Sequence, residues 1–100
     1  MLMLTGRFAI DPQARGAFMV FAKGMIQRQQ AQPGCMNVGV YEDITHLHSF
    51  IMIEQWESYE AFNRFGTTQT FERDEATLNG FMIGEPSYDE FEFTVPPEMN

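Results

Sequence analysis

The chain has 100 residues, 44% hydrophobic and 14% aromatic, enough for one folded core and too little for two. A formal net charge of -8, from 14 acidic against 6 scattered basic residues, excludes nucleic acid as a partner and serves mainly to keep a small protein soluble. No apolar run approaches the roughly 20 residues that cross a bilayer, no leader-like segment opens the chain, and the lone Cys35 has no partner for an internal disulfide, so the expectation is a cytoplasmic protein with no membrane partner.

Residues 3–10 read as a strand: Leu4, Phe8 and Ile10 share one parity, interrupted by Gly6, while Thr5 and Arg7 take the other face. Asp11-Pro12 then starts a helix, because aspartate caps a free N–H and proline has none to lose. The helix is expected to run to about Gln30, with Ala14, Phe18, Phe21, Ala22, Met25 and Gln29 on one stripe. Pro33-Gly34 ends it, residues 37–41 form a second strand, and the turn 42–45 leads into a third, 48–56, the most apolar. Ser58 caps a second helix carrying Ala61, Phe62 and Phe65, which breaks at 66–68 before another helical stretch over 71–78. In the last strand, 88–95, Phe91, Phe93 and Val95 alternate with Glu90, Glu92 and Thr94. The whole is one domain over 1–95 with a short polar tail, 96–100.

The order β-α-β-β-α-β is that of the α+β ferredoxin-like fold, a four-stranded antiparallel sheet with its helices on one face. Phe50, Met52 and Trp56 point to one side of the third strand, and Ile51 and Ile53 to the other, so both faces of that strand call for burial. The helices cover one. A second copy, packed sheet to sheet about a two-fold axis, covers the other, and the pattern predicts a homodimer; a ligand or a different protein over that face is the alternative.

Pro33-Gly34-Cys35 before the second strand, Glu54-Gln55-Trp56 ending the third and Ser58-Tyr59-Glu60-Ala61-Phe62 opening the second helix resemble the antibiotic biosynthesis monooxygenase family over about residues 3–95. The resemblance implies a dimeric α+β barrel with an apolar pocket between helices and sheet. It also implies oxygenation of quinols or polycyclic phenols without metal or flavin, while relatives degrade haem or isomerise small phosphorylated molecules. In the cofactor-free reaction an electron-rich phenolate reduces oxygen directly, so the protein has to bind the ring and promote its deprotonation.

The resemblance singles out Trp56 as a residue that orients the ring, with a core or interface tryptophan as the alternative. Glu54 shares its face and is either a buried carboxylate of raised pKa or a structural hydrogen-bonding group. His48 is a candidate base if strand parity turns it inward with Met52, against a solvated turn histidine. Arg7 is a candidate partner for an oxyanion, against a surface arginine facing cross-strand acids. Phe18, Met52, Glu54, Phe62 and Phe65 are expected to bind substrate, though stripes of this kind are also plain core. His46 and His48 lack a third ligand, so no metal is expected.

Several positions depart from the family. Phe65 and Thr70 stand where relatives carry histidine, or tryptophan at the former, which removes haem ligation there; Met52 and Phe62 replace the asparagine and tyrosine of quinol-oxidising relatives. The expected ligand is a small apolar or aromatic molecule and the expected activity a cofactor-independent monooxygenase. A non-catalytic binder and an isomerase of the same fold are the alternatives.

Overall fold

A computed structural model describes residues 1–93. Strand β1 (Leu2–Ile10) leads through a single 3-10 turn (Pro12–Ala14) into α1 (Arg15–Gln30), followed by β2 (Cys35–Glu42), β3 (Ser49–Trp56), α2 (Tyr59–Gly66), α3 (Gln69–Phe81) and β4 (Met82–Glu92). The strands form one antiparallel sheet in the order β2-β3-β1-β4, the ferredoxin-like arrangement that the element order predicts.

Both predicted caps form. Asp11 caps the 3-10 turn, accepting from the Gln13 N–H at 3.0 Å with Pro12 at its first position, while α1 itself begins at Arg15 without a side-chain cap; Ser58 caps α2, accepting from the Ala61 N–H at 3.2 Å. Thr68 does the same for α3, accepting from Phe71 N–H at 3.1 Å. Phe18, Ala22, Met25 and Gln29, four or three apart, are the buried stripe of α1.

Among the boundaries that differ from the sequence reading, two bear on the site. Strand β4 starts at Met82 and not at 88, because the Gly84-Glu85-Pro86 segment is absorbed in the strand as a bulge. The pairing shifts between Arg7 and Ala9, and Gly84 takes a φ of 72°, which favours glycine. The third strand starts at Ser49 and not at 48, since His48 has a φ of 68° and belongs to the turn. The predicted end of the last strand, residues 94–95, and the tail 96–100 lie outside the described residues.

Cross-strand register assigns the faces. Leu4 pairs with Glu54, Gly6 with Met52 and Phe8 with Phe50, all toward the helices. Thr5 pairs with Ile53 and Arg7 with Ile51 on the open face. On β4 the apolar alternates face away from the helices: Phe91 pairs with Met3 on the open face, whereas Glu90 and Tyr88 pair with Leu4 and Gly6 on the helix side. The helix-side core is consequently split. Phe8, Ile10, Phe18, Ala22 and Phe50 form one buried cluster, and Leu2, Trp56, Ala61 and Phe65 another. Between them the sheet presents Gly6, Met52 and Glu54, which do not fill the space under α3.

Candidate functional site

The gap between the two clusters is a cleft of two adjoining lobes. One, of about 350 Å³, is lined by Leu4, Thr5, Gly6, Phe8, Met52, Glu54, Phe62, Phe71, Glu75, Leu78, Met82, Tyr88, Asp89 and Glu90. The other, of about 360 Å³, shares Met52, Glu54, Phe71, Glu75, Leu78 and Tyr88 and adds Met25, Gln29, Phe65, Asp74 and Asn79. Helix α3 forms the roof because Phe71, Glu75 and Leu78 recur at helical spacing and face the sheet. The floor is apolar and each lobe is of the size of a small-molecule site.

Glu54 stands on the floor where the lobes meet. The Trp56 indole N–H donates to its Oε1 at 3.1 Å, and the Gln29 amide, itself 3% exposed, donates to the same oxygen. Burial pushes the carboxyl above the ordinary carboxylate range, and the two donors oppose that shift by favouring the ionised form. The result is a carboxyl group held through one oxygen, the second having no hydrogen-bond donor among the described residues.

Tyr88 reaches the cleft because Gly6 leaves room: a Cβ on Gly6 would lie 3.1 Å from the Tyr88 ring. Burial raises the Tyr88 pKa, and the charges of Glu75 and Glu54 raise it further, so the phenol stays a donor at neutral pH. Asp74 is compensated from α1, where Arg28 Nε and Nη2 donate to its Oδ2 and Oδ1 at 3.0 and 2.8 Å. None of the residues lining either lobe is Lys, Arg or His.

The structure brings together five of the eight residues singled out from sequence, in different capacities. Met52 and Glu54 line both lobes, Phe62 the first and Phe65 the second, while Trp56 is fully buried, stacked on Phe65 with ring centroids 5.3 Å apart, and touches the cleft only through Glu54. Phe18 is fully buried beside Phe8 and Phe50 and lines neither lobe. His48 lies in the β2–β3 turn, where its N–H donates to Glu42 Oε2 at 3.2 Å and its carbonyl accepts from Ile10 N–H at 2.8 Å; its Nδ1 is buried without a partner among the described residues. Arg7 is exposed on the open sheet face. The parity that would turn His48 inward with Met52 does not apply outside a strand, and neither His48 nor Arg7 lines the cleft. Sequence reasoning missed Tyr88, Glu75, Leu78 and Met82. The signal for Tyr88 was the glycine interrupting the apolar parity of β1.

Residues 1–74 match the family model described as antibiotic biosynthesis monooxygenase. The chain is 26% identical over 70 residues to the Synechocystis protein sll1783, covering 70% of this chain and 48% of that protein, so it spans about half the length of that relative. It is 24% identical over 72 residues to YcnE of Bacillus subtilis, covering 72% of this chain and 76% of the other. A crystal structure of an antibiotic biosynthesis monooxygenase superposes with a TM-score of 0.84 at 20% identity, over 96% of this chain and 100% of that one. A conserved protein from Methanosarcina mazei Go1 superposes with a TM-score of 0.86 at 17% identity, over 93% and 92%. At these identities the structural likeness establishes the fold.

Proposed function

The chain belongs to the antibiotic biosynthesis monooxygenase family, and on that premise we propose that it oxygenates a small, electron-rich aromatic molecule held under α3, with Glu54 as the proton acceptor. The observation that carries this reading is a carboxylate of raised proton affinity fixed by two donors on an apolar floor. A phenol or activated ring methylene gives its proton to Glu54, and the resulting anion gives electrons to molecular oxygen. For a methylene, one oxygen atom ends as the new carbonyl and the other leaves as water, the substrate supplying both electrons and both hydrogens. Met52, Phe62, Phe71 and Leu78 hold the ring in this reading, and Tyr88, which lines the same lobe, donates its hydroxyl to a substrate oxygen. Trp56 and Gln29 act through Glu54 as positioning residues.

The protein works as a homodimer in this proposal. Supporting it, the open sheet face carries Ile51, Ile53, Met3, Tyr41, Ile83 and Phe91, with Phe91 47% and Ile83 51% exposed in the single chain. The free Cys35 suits a cytoplasmic setting. A non-catalytic binder is the second reading, favoured by a cleft lining without histidine or any cation. Phosphorylated substrates of an isomerase meet several carboxylates and no cation in the lining, which disfavours that alternative.

Oxygen uptake by metal-stripped protein over a panel of anthrones, naphthoquinols and catechols tests the proposal. Glu54→Gln keeps an amide oxygen for Trp56 and Gln29 and removes the base, so turnover is expected to fall by about 100-fold or more with ring binding retained. Wild-type turnover is expected to rise with pH through a pKa above the ordinary carboxylate range, because the ionised form is the acceptor. Uptake unchanged in the variant removes Glu54 as the base, and ring binding without uptake in the wild type establishes the binder.

A further inference from the structure

We infer that the cleft selects a cationic aromatic ligand, a planar apolar ring system bearing a protonated amine; this rests on the cleft being the ligand site. Glu75, Glu90 and Tyr88 all line the first lobe, and Glu54 lies on its floor. No Lys, Arg or His lines either lobe, and among the described residues neither Glu75 nor Glu90 has an ion-pair partner. Arg28 approaches the second lobe through Asp74, to which its Nε and Nη2 donate, and so offsets the charge of that carboxylate. The negative field converges on one place, since both Glu54 and Glu75 act on the Tyr88 hydroxyl.

Three carboxylates around an apolar floor repel a ligand that is itself anionic, Glu75 and Glu90 from the exposed rim and Glu54 from a partly buried position where flanking apolar side chains lower the local dielectric. A ligand with a fixed positive charge reverses the sign of that interaction, and the rings of Phe62, Phe71 and Tyr88 add a favourable face for a cation. The same charge answers the difficulty in the chemistry. Proton transfer to Glu54 leaves an anion on the substrate in a site without a protein cation, and an ammonium group on the substrate stabilises that anion from within the same molecule.

Three fluorescent probes of one shape test this: N-methyl-anthracenylmethylamine, a cation at neutral pH, the neutral anthracenylmethanol, and anthracenecarboxylate. Titration of the full chain at low salt is expected to give an amine Kd about tenfold or more below that of the alcohol, and a carboxylate Kd about tenfold or more above it. Glu75→Gln and Glu90→Gln are expected to move the ratio of amine Kd to alcohol Kd toward one. Glu57→Gln removes the same charge outside the cleft lining and is expected to leave the ratio as it is. Alcohol binding as tight as amine binding overturns the inference alone, as does a ratio that moves equally in Glu57→Gln and Glu75→Gln, which would assign the preference to overall charge. Failure of all three probes to bind overturns the cleft as a ligand site, and the proposed function with it.

Discussion

Replacing Trp56 by phenylalanine separates two contributions that the structure places in one residue. The indole is fully buried between Phe62 and Phe65, so a smaller ring loses contacts and leaves a void worth about 1–2 kcal/mol at every pH. The N–H to Glu54 is lost as well, worth about 1.5–3 kcal/mol while the carboxyl is ionised and about 0.5–1.5 kcal/mol while it is protonated. The sums are about 2.5–5 kcal/mol above the Glu54 pKa and about 1.5–3.5 kcal/mol below it. The sign follows from burial, which raises the pKa of the folded state. The contribution of Glu54 to stability is complete below the ordinary carboxylate pKa and is lost as pH rises through the folded value. Losing a donor to the ionised form raises that value further and steepens the loss. Urea unfolding followed by far-ultraviolet circular dichroism, at fixed protein concentration over a pH series, reads the difference directly. A Trp56→Phe penalty that is the same at every pH would refute the coupling, leaving Trp56 as packing alone.

Glu42 is held down at a pKa of about 2, chiefly by the Arg15 guanidinium, which donates to its two oxygens at 3.0 and 2.6 Å. Its contribution is therefore present above the ordinary carboxylate pKa and lost as pH falls toward 2, so Glu42→Gln is expected to lower the Tm at neutral pH with the gap closing on acidification. Tm curves that stay parallel to acid pH count against the pair. Gly34 has a φ of 85°, and a Cβ there would come 2.5 Å from the Ala61 Cβ, so Gly34→Ala is expected to cost about 2 kcal/mol or more in denaturant melts. A cost below about 0.5 kcal/mol would mean that the junction of β2 and α2 relaxes freely. Ile53→Glu places a charge at the middle of the open sheet face and is expected to turn a dimer into a monomer by light scattering. A wild-type monomer removes the dimer, and a variant that remains dimeric moves the interface elsewhere.

The sequence by itself determined the element order, the helix caps at Asp11 and Ser58, the apolar stripe of α1 and the pairing of faces on β3, because each depends on residues within a few positions of one another. It also contained the glycine at position 6 and the carboxylate at 54, without the partner that gives either its meaning. Only the tertiary structure decided that Phe91 lies on the open face of the sheet and Tyr88 on the helix side, that Tyr88 lies against Gly6, and that Gln29 at the end of α1 reaches Glu54 on β3. It also took His48 out of the strand and out of the site, through one residue of left-handed backbone that alternation does not encode. Periodicity is a property of one segment, whereas a cleft is the space several segments fail to fill. Its walls come from residues as far apart in the chain as Leu4 and Glu90, and its chemistry from which of their side chains the packing turns toward one another.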